Sequence, residues 1–324
     1  MSNKAIAIYR MPNEQDFYSL TSQNELEINS TSKSCFFFSD FENGIIYSLK
    51  NPEIKKNTWI NFDFQHNSSE IEISKEAYIK KIEVVTQRIK AGEFKKVVFS
   101  RIKNIEKSAD FNLEKTFKDL CYNYPKAFIY CVSSEETGTW MGASPELLIE
   151  QKQETYSTVS LAGTRIEGIN WTDKEKEEQQ VVTDYILNKI APYSTSTKVS
   201  EPFDLNTGTV IHLKSKIEFK LNENNTIWDL VSFLHPTPAV CGIPSEKAKQ
   251  FIKELEPQNR KLYTGFIGPM GINNHSSLFV NLRCMQVCKE SISLYLGGGI
   301  MANSDPENEW IETENKAKTL LKVL

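Results

Sequence analysis

The segment SLFVNLRCMQVCKESISLYLGGGI, residues 277–300, is the stretch that decides the fold class of this chain. Its apolar residues fall into two runs, at about 277–289 and 291–298, which predict two successive strands with almost no connection between them. A third strand is predicted before them, at about 263–269, and a helix follows at about 308–323. Hairpin-like strands grouped between helices, with few alternating βαβ units, are typical of antiparallel sheets. We therefore predict an α+β fold of largely antiparallel mixed sheets flanked by helices.

The rest of the chain repeats this grouping of strands and helices. Its first strong helix is predicted to begin after Ser74, a good N-cap, and to end before Gly92, with apolar residues at helical spacing between them. Further helices are predicted through Leu113 and Leu120 and at about 173–190, 226–234 and 245–255, with strands at about 95–105, 127–133, 138–142, 146–151, 156–162 and 208–221. No repeat, low-complexity segment or Pro/Gly linker divides the chain. We predict one main domain at residues 74–324, with residues 1–73 as an N-terminal extension packed on it.

The composition is that of a globular protein. The chain has 324 residues, of which 40% are hydrophobic, enough to bury a sizeable core. Lys plus Arg number 38 against 42 for Asp plus Glu, and neither sign forms a long run, so we expect no nucleic-acid or membrane-surface partner. No signal-peptide pattern and no apolar stretch of about 18 residues is present, so we expect a cytoplasmic protein. The six cysteines lack the CxxC spacing of zinc sites and are predicted to be reduced core residues.

The closing segment carries Glu309, Glu312 and Lys316 at helical spacing. On a helix these offsets place all three side chains on one stripe. Two carboxylates so placed can hold a hard divalent cation, and the lysine can pair with an anion that the cation also binds. The alternative is a solvated helix face with an ordinary ion pair between Glu312 and Lys316.

Two segments could supply an acid and a base. If the strand that begins at Lys95 is central, either Lys95 or Lys96 must point inward, and a buried amine can become a neutral base. If it is an edge strand, both amines reach water instead. Glu146 follows the strand-breaking Gly-Ala-Ser-Pro and precedes an apolar run, where a carboxyl would have a raised pKa and could donate a proton. An ordinary turn carboxylate is the alternative.

Four further side chains are candidates for binding. Glu175 and Glu178, three residues apart at the start of a helix, could ligate a metal or merely complement the helix dipole. Arg283 lies inside an apolar stretch, where a guanidinium is costly unless paired, so we expect a bidentate carboxylate partner. His212 is either a core histidine or a catalytic one.

Glycines mark two strand ends that could approach an anion. Gly163 lies in Leu-Ala-Gly-Thr-Arg, and Gly297 and Gly299 lie in Leu-Gly-Gly-Gly-Ile. Without a side chain, their backbone N–H groups are accessible to a ligand. A bulge or tight turn would explain the same glycines.

Eight collinear motifs, taken together, resemble the chorismate-utilising enzymes, and among these the isochorismate synthases. They are Lys96-Val-Val-Phe-Ser-Arg, Gly142-Ala-Ser-Pro-Glu, Leu161-Ala-Gly-Thr-Arg, His235-Pro-Thr-Pro-Ala-Val-Cys-Gly, Arg260 to Gly265, Leu282-Arg-Cys, Gly297-Gly-Gly-Ile and Glu309-Trp-Ile-Glu-Thr. The resemblance covers residues 74–324 and implies a chorismate-binding catalytic domain with a buried active site that requires Mg²⁺.

The resemblance also implies a role for each candidate residue. Lys96 would be the base that activates water, and Glu146 the general acid that protonates the departing 4-hydroxyl of chorismate. The implied Mg²⁺ ligands are Glu178 and Glu312, with Glu175 and Glu309 in the surrounding shell or bridging through water. The residues implied to hold or surround the substrate are Arg283, Lys316, His212, Gly163, Gly297, Gly299, Ala239 and Val240.

The implied reaction is the conversion of chorismate to isochorismate by water attack at C2 and loss of the C4 hydroxyl. A salicylate synthase, which also eliminates pyruvate, and a non-catalytic chorismate-binding protein are the alternatives. Relatives that add ammonia lack the lysine at position 96, so no glutaminase subunit is expected. Menaquinone and siderophore pathways use the same chemistry, and both stay open. One residue departs from the family pattern: Gln179 stands where many family members have a histidine. A monomer is expected, because no strong exposed apolar face stands out.

Overall fold

The computed structural model has an α+β architecture, as the grouping of strands and helices predicted. It describes residues 5–24, 26–29, 35–42, 44–62, 71–165, 168–206 and 211–324. The α-helices in these ranges are α1 (Lys75–Lys90), α2 (Leu113–Asn123), α3 (Asp173–Ile190), α4 (Ile227–Leu234), α5 (Ser245–Leu255) and α6 (Pro306–Leu321), and a 3₁₀ turn covers Ala191–Tyr193. Within the described ranges, no helix is long and apolar enough to cross a membrane.

The strands in the described ranges vary from two to eleven residues in length. The strands are β1 (Ala5–Arg10), β2 (Tyr18–Ser22), β3 (Glu27–Ile28), β4 (Cys35–Ser39), β5 (Ile46–Lys50), β6 (Glu53–Lys56), β7 (Lys96–Glu106), β8 (Phe128–Ser134), β9 (Gly138–Ser144), β10 (Leu147–Lys152), β11 (Thr155–Arg165), β12 (Ser194–Val199), β13 (Phe203–Asn206), β14 (Ile211–Leu221), β15 (Gly242–Ile243), β16 (Phe266–Ile272), β17 (His275–Val280), β18 (Cys284–Val287) and β19 (Ser291–Ile300).

The chain divides into two compact units. The first comprises Met1–Glu146, Pro236–Gly268 and Phe279–Leu324, and the second comprises Leu147–His235 and Pro269–Leu278. The assignment of residues 1–73 as an extension of one domain stays a prediction.

A nine-stranded sheet forms the centre of the first unit. Its strand order is β15-β7-β19-β18-β9-β8-β1-β2-β6, and its pairs are antiparallel. Leu120 of α2 and Leu320 of α6 pack in one core cluster with residues of β8, β9, β18 and β19. Ile82 of α1 and Phe251 of α5 belong to a second cluster, which includes Phe99 of β7. Strand pairing and the packing of α6 on the sheet therefore fix the positions of β7, β19 and α6 within this unit.

The helix that sequence analysis signalled most clearly begins and ends where its capping residues predict. Ser74 caps α1 and accepts a hydrogen bond from the backbone N–H of Ala77 at 3.2 Å. Gly92 follows the helix with φ +83°, a left-handed conformation that glycine adopts at little cost. The apolar residues Tyr78, Ile82, Val85 and Ile89 are buried on one face, as their spacing predicted.

The second unit contains the strands β12-β14-β11-β10 in that order, with α3 and α4. Gln179 of α3 is almost fully buried, and its amide nitrogen donates to the hydroxyls of Ser160 on β11 and Ser215 on β14, at 3.1 and 3.0 Å. It also donates to Thr183, one helical turn further on, at 3.0 Å. This amide therefore anchors α3 to two strands of its sheet.

Two predicted strands differ from the observed ones. The strand predicted at 277–289 is interrupted between β17 and β18, because Arg283 has φ +50°, a left-handed backbone that a strand cannot contain. The strand predicted at 263–269 begins three residues later, since Thr264 also has a positive φ. For the strand predicted at 208–221, residues 208–210 lie outside the described part of the chain.

The cysteines behave as small core residues. Five of the six are buried, Cys121 is half-buried, and all six are free thiols. Burial raises the pKa of Cys241 to about 11, so that thiol stays protonated at neutral pH. The prediction of core positions therefore holds for five of the six cysteines, and Cys121 lies at the margin of the core.

Candidate active site

Lys96 is the lysine of its pair that turns inward. It lies at the start of β7, which has β15 on one side and β19 on the other, so β7 is not an edge strand. Lys95 is exposed, whereas Lys96 is half-buried. A Cβ added to Gly299 of β19 would lie 2.7 Å from Cε of Lys96 and 3.2 Å from its Nζ. The lysine side chain therefore lies against the bare backbone of Gly299.

Glu146 lies between β9 and β10, directly before β10, and hydrogen bonds hold its backbone in place. Its carbonyl accepts a hydrogen bond from the N–H of Val280 at 2.9 Å, and its own N–H donates to Ser144 Oγ at 3.4 Å. The residue as a whole is half-buried, but its carboxyl lies away from solvent. This burial raises the pKa of Glu146 to about 7. The positive charge of Lys96 acts against this increase in pKa, so the two groups interact electrostatically.

The carboxylates of α6 face the glycines of β19. A Cβ on Gly298 would lie 3.0 Å from Oε2 of Glu309 and 3.6 Å from Oε1 of Glu312. Successive residues of a strand face opposite sides, so Gly298 admits α6 on one side and Gly299 admits Lys96 on the other. These two glycines thus let a base and two acids approach the same short length of backbone.

Lys316 forms both contacts that its position on the α6 stripe allows. Its Nζ donates to Oε1 of Glu312 at 2.6 Å and to the carbonyl of Gly297 at 2.8 Å. The ordinary ion pair between Glu312 and Lys316, which was the alternative prediction, is therefore present. Half of the Glu312 side chain is nevertheless exposed, so its carboxylate can accept a further ligand.

Glu309 and Glu312 fit a divalent cation. Oε2 of Glu309 is buried and has no hydrogen-bond partner among the described residues. Burial raises the pKa of Glu309, and the negative charge of Glu312 adds to that increase. A cation would satisfy the orphaned oxygen and relieve the repulsion between the two carboxylates. The described residues contain no group of three or more His, Cys, Asp or Glu side chains arranged for a metal, and Mg²⁺ characteristically uses one or two carboxylates plus water and substrate oxygens.

Arg283 lies in the break between β17 and β18. Its Nη1 donates to Thr319 Oγ1 of α6 at 2.9 Å. Within the described part of the chain, no carboxylate forms an ion pair with it, so the protein carboxylate expected from sequence is not observed. Burial lowers the pKa of Arg283, because removing a cation from water disfavours its charged form. Such a group is suited to pair with an anionic ligand.

Tyr263 is a site residue that sequence reasoning missed. A Cβ on Gly297 would lie 2.7 Å from its hydroxyl, so the phenol occupies the space above that glycine. Burial raises the pKa of Tyr263, which keeps the hydroxyl protonated and able to donate. Its place between Arg260 and Gly265, in a motif already singled out, is the signal that would have found it.

Ala239 and Val240 belong to the loop between α4 and β15. Ala239 is exposed and Val240 is buried. The carbonyl of Val240 accepts a hydrogen bond from Arg260 Nη1 at 2.8 Å, and Arg260 Nη2 donates to the carbonyl of Val98 at 2.7 Å. The buried guanidinium thus ties this loop to β7, two residues from Lys96.

Three candidates of the second unit, Gly163, His212 and Glu175, lie close to one another. Gly163 has φ +73° and lies at a shift in register between β11 and β14, so the bulge alternative describes its backbone correctly. Its carbonyl lies 3.1 Å from His212 Nδ1, and a carbonyl can only accept, so Nδ1 carries the proton. A Cβ on Gly163 would meet the carbonyl of Glu175 at 3.0 Å, which brings the start of α3 close to the bulge.

The two acids of α3 differ in their surroundings. The carboxylate of Glu175 accepts a hydrogen bond from the backbone N–H of Thr172 at 3.0 Å and another from its hydroxyl, as part of a capping box. Glu178 is exposed. The roles of both residues as metal ligands stay predictions.

A comparison with known protein families identifies the family of this chain. Residues 42–324 match the family described as "Chorismate binding enzyme". The chain belongs to the chorismate-binding enzyme family. The family assignment that the eight motifs predicted is confirmed, and all of the candidate residues lie within the matched range.

Three members of the family illustrate the similarity. Isochorismate synthase EntC of Escherichia coli is 32% identical over 241 residues, which are 70% of this chain and 62% of that protein. Isochorismate synthase DhbC of Bacillus subtilis is 30% identical over 269 residues, 77% of this chain and 68% of that protein. The solved structure of MenF, the menaquinone-specific isochorismate synthase from E. coli, has a TM-score of 0.84 and 21% identity, covering 100% of this chain and 90% of that one. That likeness shows a shared fold.

Proposed function

We propose that this protein is an isochorismate synthase, which converts chorismate to isochorismate with Mg²⁺ bound. The chain spans 62% of the length of the E. coli synthase and 68% of the B. subtilis one, both named for this activity. The observation that carries the proposal is the electrostatically coupled pair of Lys96 and Glu146, in which the carboxyl has a pKa of about 7.

The two groups fit the two halves of the reaction. Lys96, in its neutral amine form, takes a proton from water as the water oxygen bonds to C2 of the ring. Glu146 gives its proton to the hydroxyl at C4, the C4–O bond breaks, and the ring double bonds migrate. A pKa of about 7 leaves a large fraction of Glu146 protonated at neutral pH, as a general acid requires. One water enters and one leaves, so the product is an isomer of the substrate.

The anionic substrate is held by charge. Chorismate carries two carboxylates, and the guanidinium of Arg283, which lacks a carboxylate partner among the described residues, can bind one of them through two N–H groups. Lys316, which donates to the carbonyl of Gly297, suits the same task, and the resemblance implies the backbone around Gly297 and Gly299 as well. Tyr263, above Gly297, is a further donor.

Mg²⁺ would supply a positive charge that binds and polarises a substrate carboxylate. Glu312 and Glu309 are the residues of the first unit that would hold it, because their oxygens converge on Gly298. The resemblance implies Glu178 as a further Mg²⁺ ligand, with Glu175 in the surrounding shell or bridging through water. Lys96 and Glu146 carry out the proton transfers.

The test is an incubation of the purified protein with chorismate and Mg²⁺, with and without EDTA, followed by chromatography of the products. We expect isochorismate without pyruvate, loss of turnover with EDTA, and restoration by added Mg²⁺. Lys96→Ala should abolish product formation while retaining the folded state, as judged by circular dichroism.

Each other outcome has a definite meaning. Salicylate together with pyruvate would refute the synthase proposal in favour of the pyruvate-eliminating reaction. Binding of chorismate without turnover would refute the enzymatic proposal, and full activity in EDTA would refute the role of Mg²⁺.

A further inference from the structure

A buried arginine connects the strand of Lys96 with the helix of the two carboxylates. Arg101 lies on β7, and its side chain is fully buried. None of the chemical steps assigned above uses it. A guanidinium in such a position needs an explanation, since burying a charge is costly even when it is paired.

Three residues on one face of α6 receive the guanidinium. Arg101 Nε donates to Thr313 Oγ1 at 2.8 Å, and Nη2 forms a hydrogen-bonded ion pair with Glu314. The guanidinium carbon lies 3.7 Å from the centroid of the Trp310 ring, in a cation–π contact. The three partners are at i, i+3 and i+4, so they form one patch on the helix. The contact therefore fixes both the height and the rotation of α6 against β7.

The rotation of α6 sets where its carboxylates lie. Glu309 and Glu312 each precede a partner of Arg101, Trp310 and Thr313 respectively, by one residue. Side-chain ends lie about 5 to 6 Å from a helix axis, so a rotation of about 20° moves them by about 2 Å. A displacement of that size would separate the carboxylate oxygens that now converge on Gly298.

We propose that Arg101 is a positioning residue that holds α6 in the rotation at which Glu309 and Glu312 can bind a divalent cation. The inference rests on the proposed function, in which these carboxylates hold Mg²⁺. Only arginine combines a planar fork with a face that stacks on an indole, so lysine cannot replace it. Nη1 of Arg101 is buried without a hydrogen-bond partner among the described residues, so the contacts that hold the guanidinium to α6 are those of Nε, Nη2 and its flat face.

The test measures Mg²⁺ binding directly, without substrate and without turnover. Wild-type protein, Arg101→Lys and Glu314→Gln are titrated with MgCl₂ by isothermal calorimetry, at a temperature where melting curves show each to be folded. Lys103→Met is the matched control. Lys103 Nζ donates to the other oxygen of Glu314 at 2.8 Å, whereas Trp310 and Thr313 are contacted by Arg101.

We expect Arg101→Lys to weaken Mg²⁺ binding by about 10-fold or more, the range found when groups behind metal ligands are removed. Glu314→Gln should weaken it in the same direction, and Lys103→Met should stay within about twofold of wild type. A folded Arg101→Lys with wild-type Mg²⁺ affinity would overturn the inference. If that variant does not fold, Glu314→Gln decides alone. If the wild type binds no Mg²⁺, the inference and the proposed cofactor both fail.

Discussion

Replacing Gly299 by alanine should displace Lys96 and reduce turnover. The added Cβ would lie 2.7 Å from Lys96 Cε, whereas carbon atoms in ordinary contact are about 3.5 to 4.0 Å apart. The end of the lysine must therefore move by about 1 Å. A misplacement of about 1 Å can reduce a rate by about 100-fold, equivalent to about 2.7 kcal/mol in the activation barrier. Gly299 has no positive φ, so the backbone tolerates the substitution.

The assay is steady-state formation of isochorismate at saturating Mg²⁺, with kcat and the half-saturating Mg²⁺ concentration determined for each variant. Gly299→Ala should lower kcat about 100-fold and leave the half-saturating Mg²⁺ concentration unchanged. The matched control is Gly298→Ala, whose Cβ faces the other side of the strand and meets Oε2 of Glu309 at 3.0 Å. It should raise the half-saturating Mg²⁺ concentration and affect kcat at saturation less.

Two results would refute this reasoning. The first is a kcat for Gly299→Ala within about threefold of wild type, which would mean that the position of Lys96 is unimportant. The second is the same kinetic change in both glycine variants, which would mean that the strand responds as a whole and not through the side chain on each face.

Three further predictions follow from the same geometry. The pKa of Glu146, raised to about 7, means that the folded state binds this proton more tightly than the unfolded state, so the free energy of unfolding should fall as pH rises from about 4.5 through 7. In urea titrations the loss should reach up to about 3 kcal/mol above pH 8. Glu146→Gln should abolish this loss of stability and also eliminate turnover. Arg283→Lys should raise KM for chorismate by about 10- to 100-fold, because an ammonium cannot make the two parallel hydrogen bonds of a guanidinium. An unchanged KM would contradict substrate binding by this residue. Gln179→Leu should lower the free energy of unfolding by about 2 kcal/mol or more, because it leaves buried hydroxyls without their hydrogen-bond donor. Gln180→Leu, at the exposed neighbouring position, should have little effect in the same denaturation assay.

Short-range sequence signals predicted most of the secondary structure correctly. Ser74 and Gly92 bound α1 as predicted because a cap is a contact between residues a few positions apart. The broken strand at Arg283 was missed for the opposite reason. Its apolar neighbours continue the strand pattern, and a left-handed φ at a non-glycine residue has no sequence signal.

The candidate site was predictable in its residue types and only partly in its contacts. The motif spacing identified Lys96 and Glu146, which are fifty residues apart in sequence. Their electrostatic coupling and the pKa of about 7 depend on which groups surround the carboxyl in the folded state. Arg101 and Tyr263 lay inside recognised motifs but were given no role, because their partners come from distant segments.

The sequence by itself determined the family, the α+β class, the helix boundaries and the chemical groups available for catalysis, because these depend on local pattern and residue identity. The tertiary structure decided which of two adjacent lysines turns inward, and that α6 presents Glu309 and Glu312 to Gly298. It also decided that Glu146 is a weak acid with a raised pKa. These properties arise from burial and from contacts between segments far apart in the chain, so they exist only once the sheet has brought those segments together.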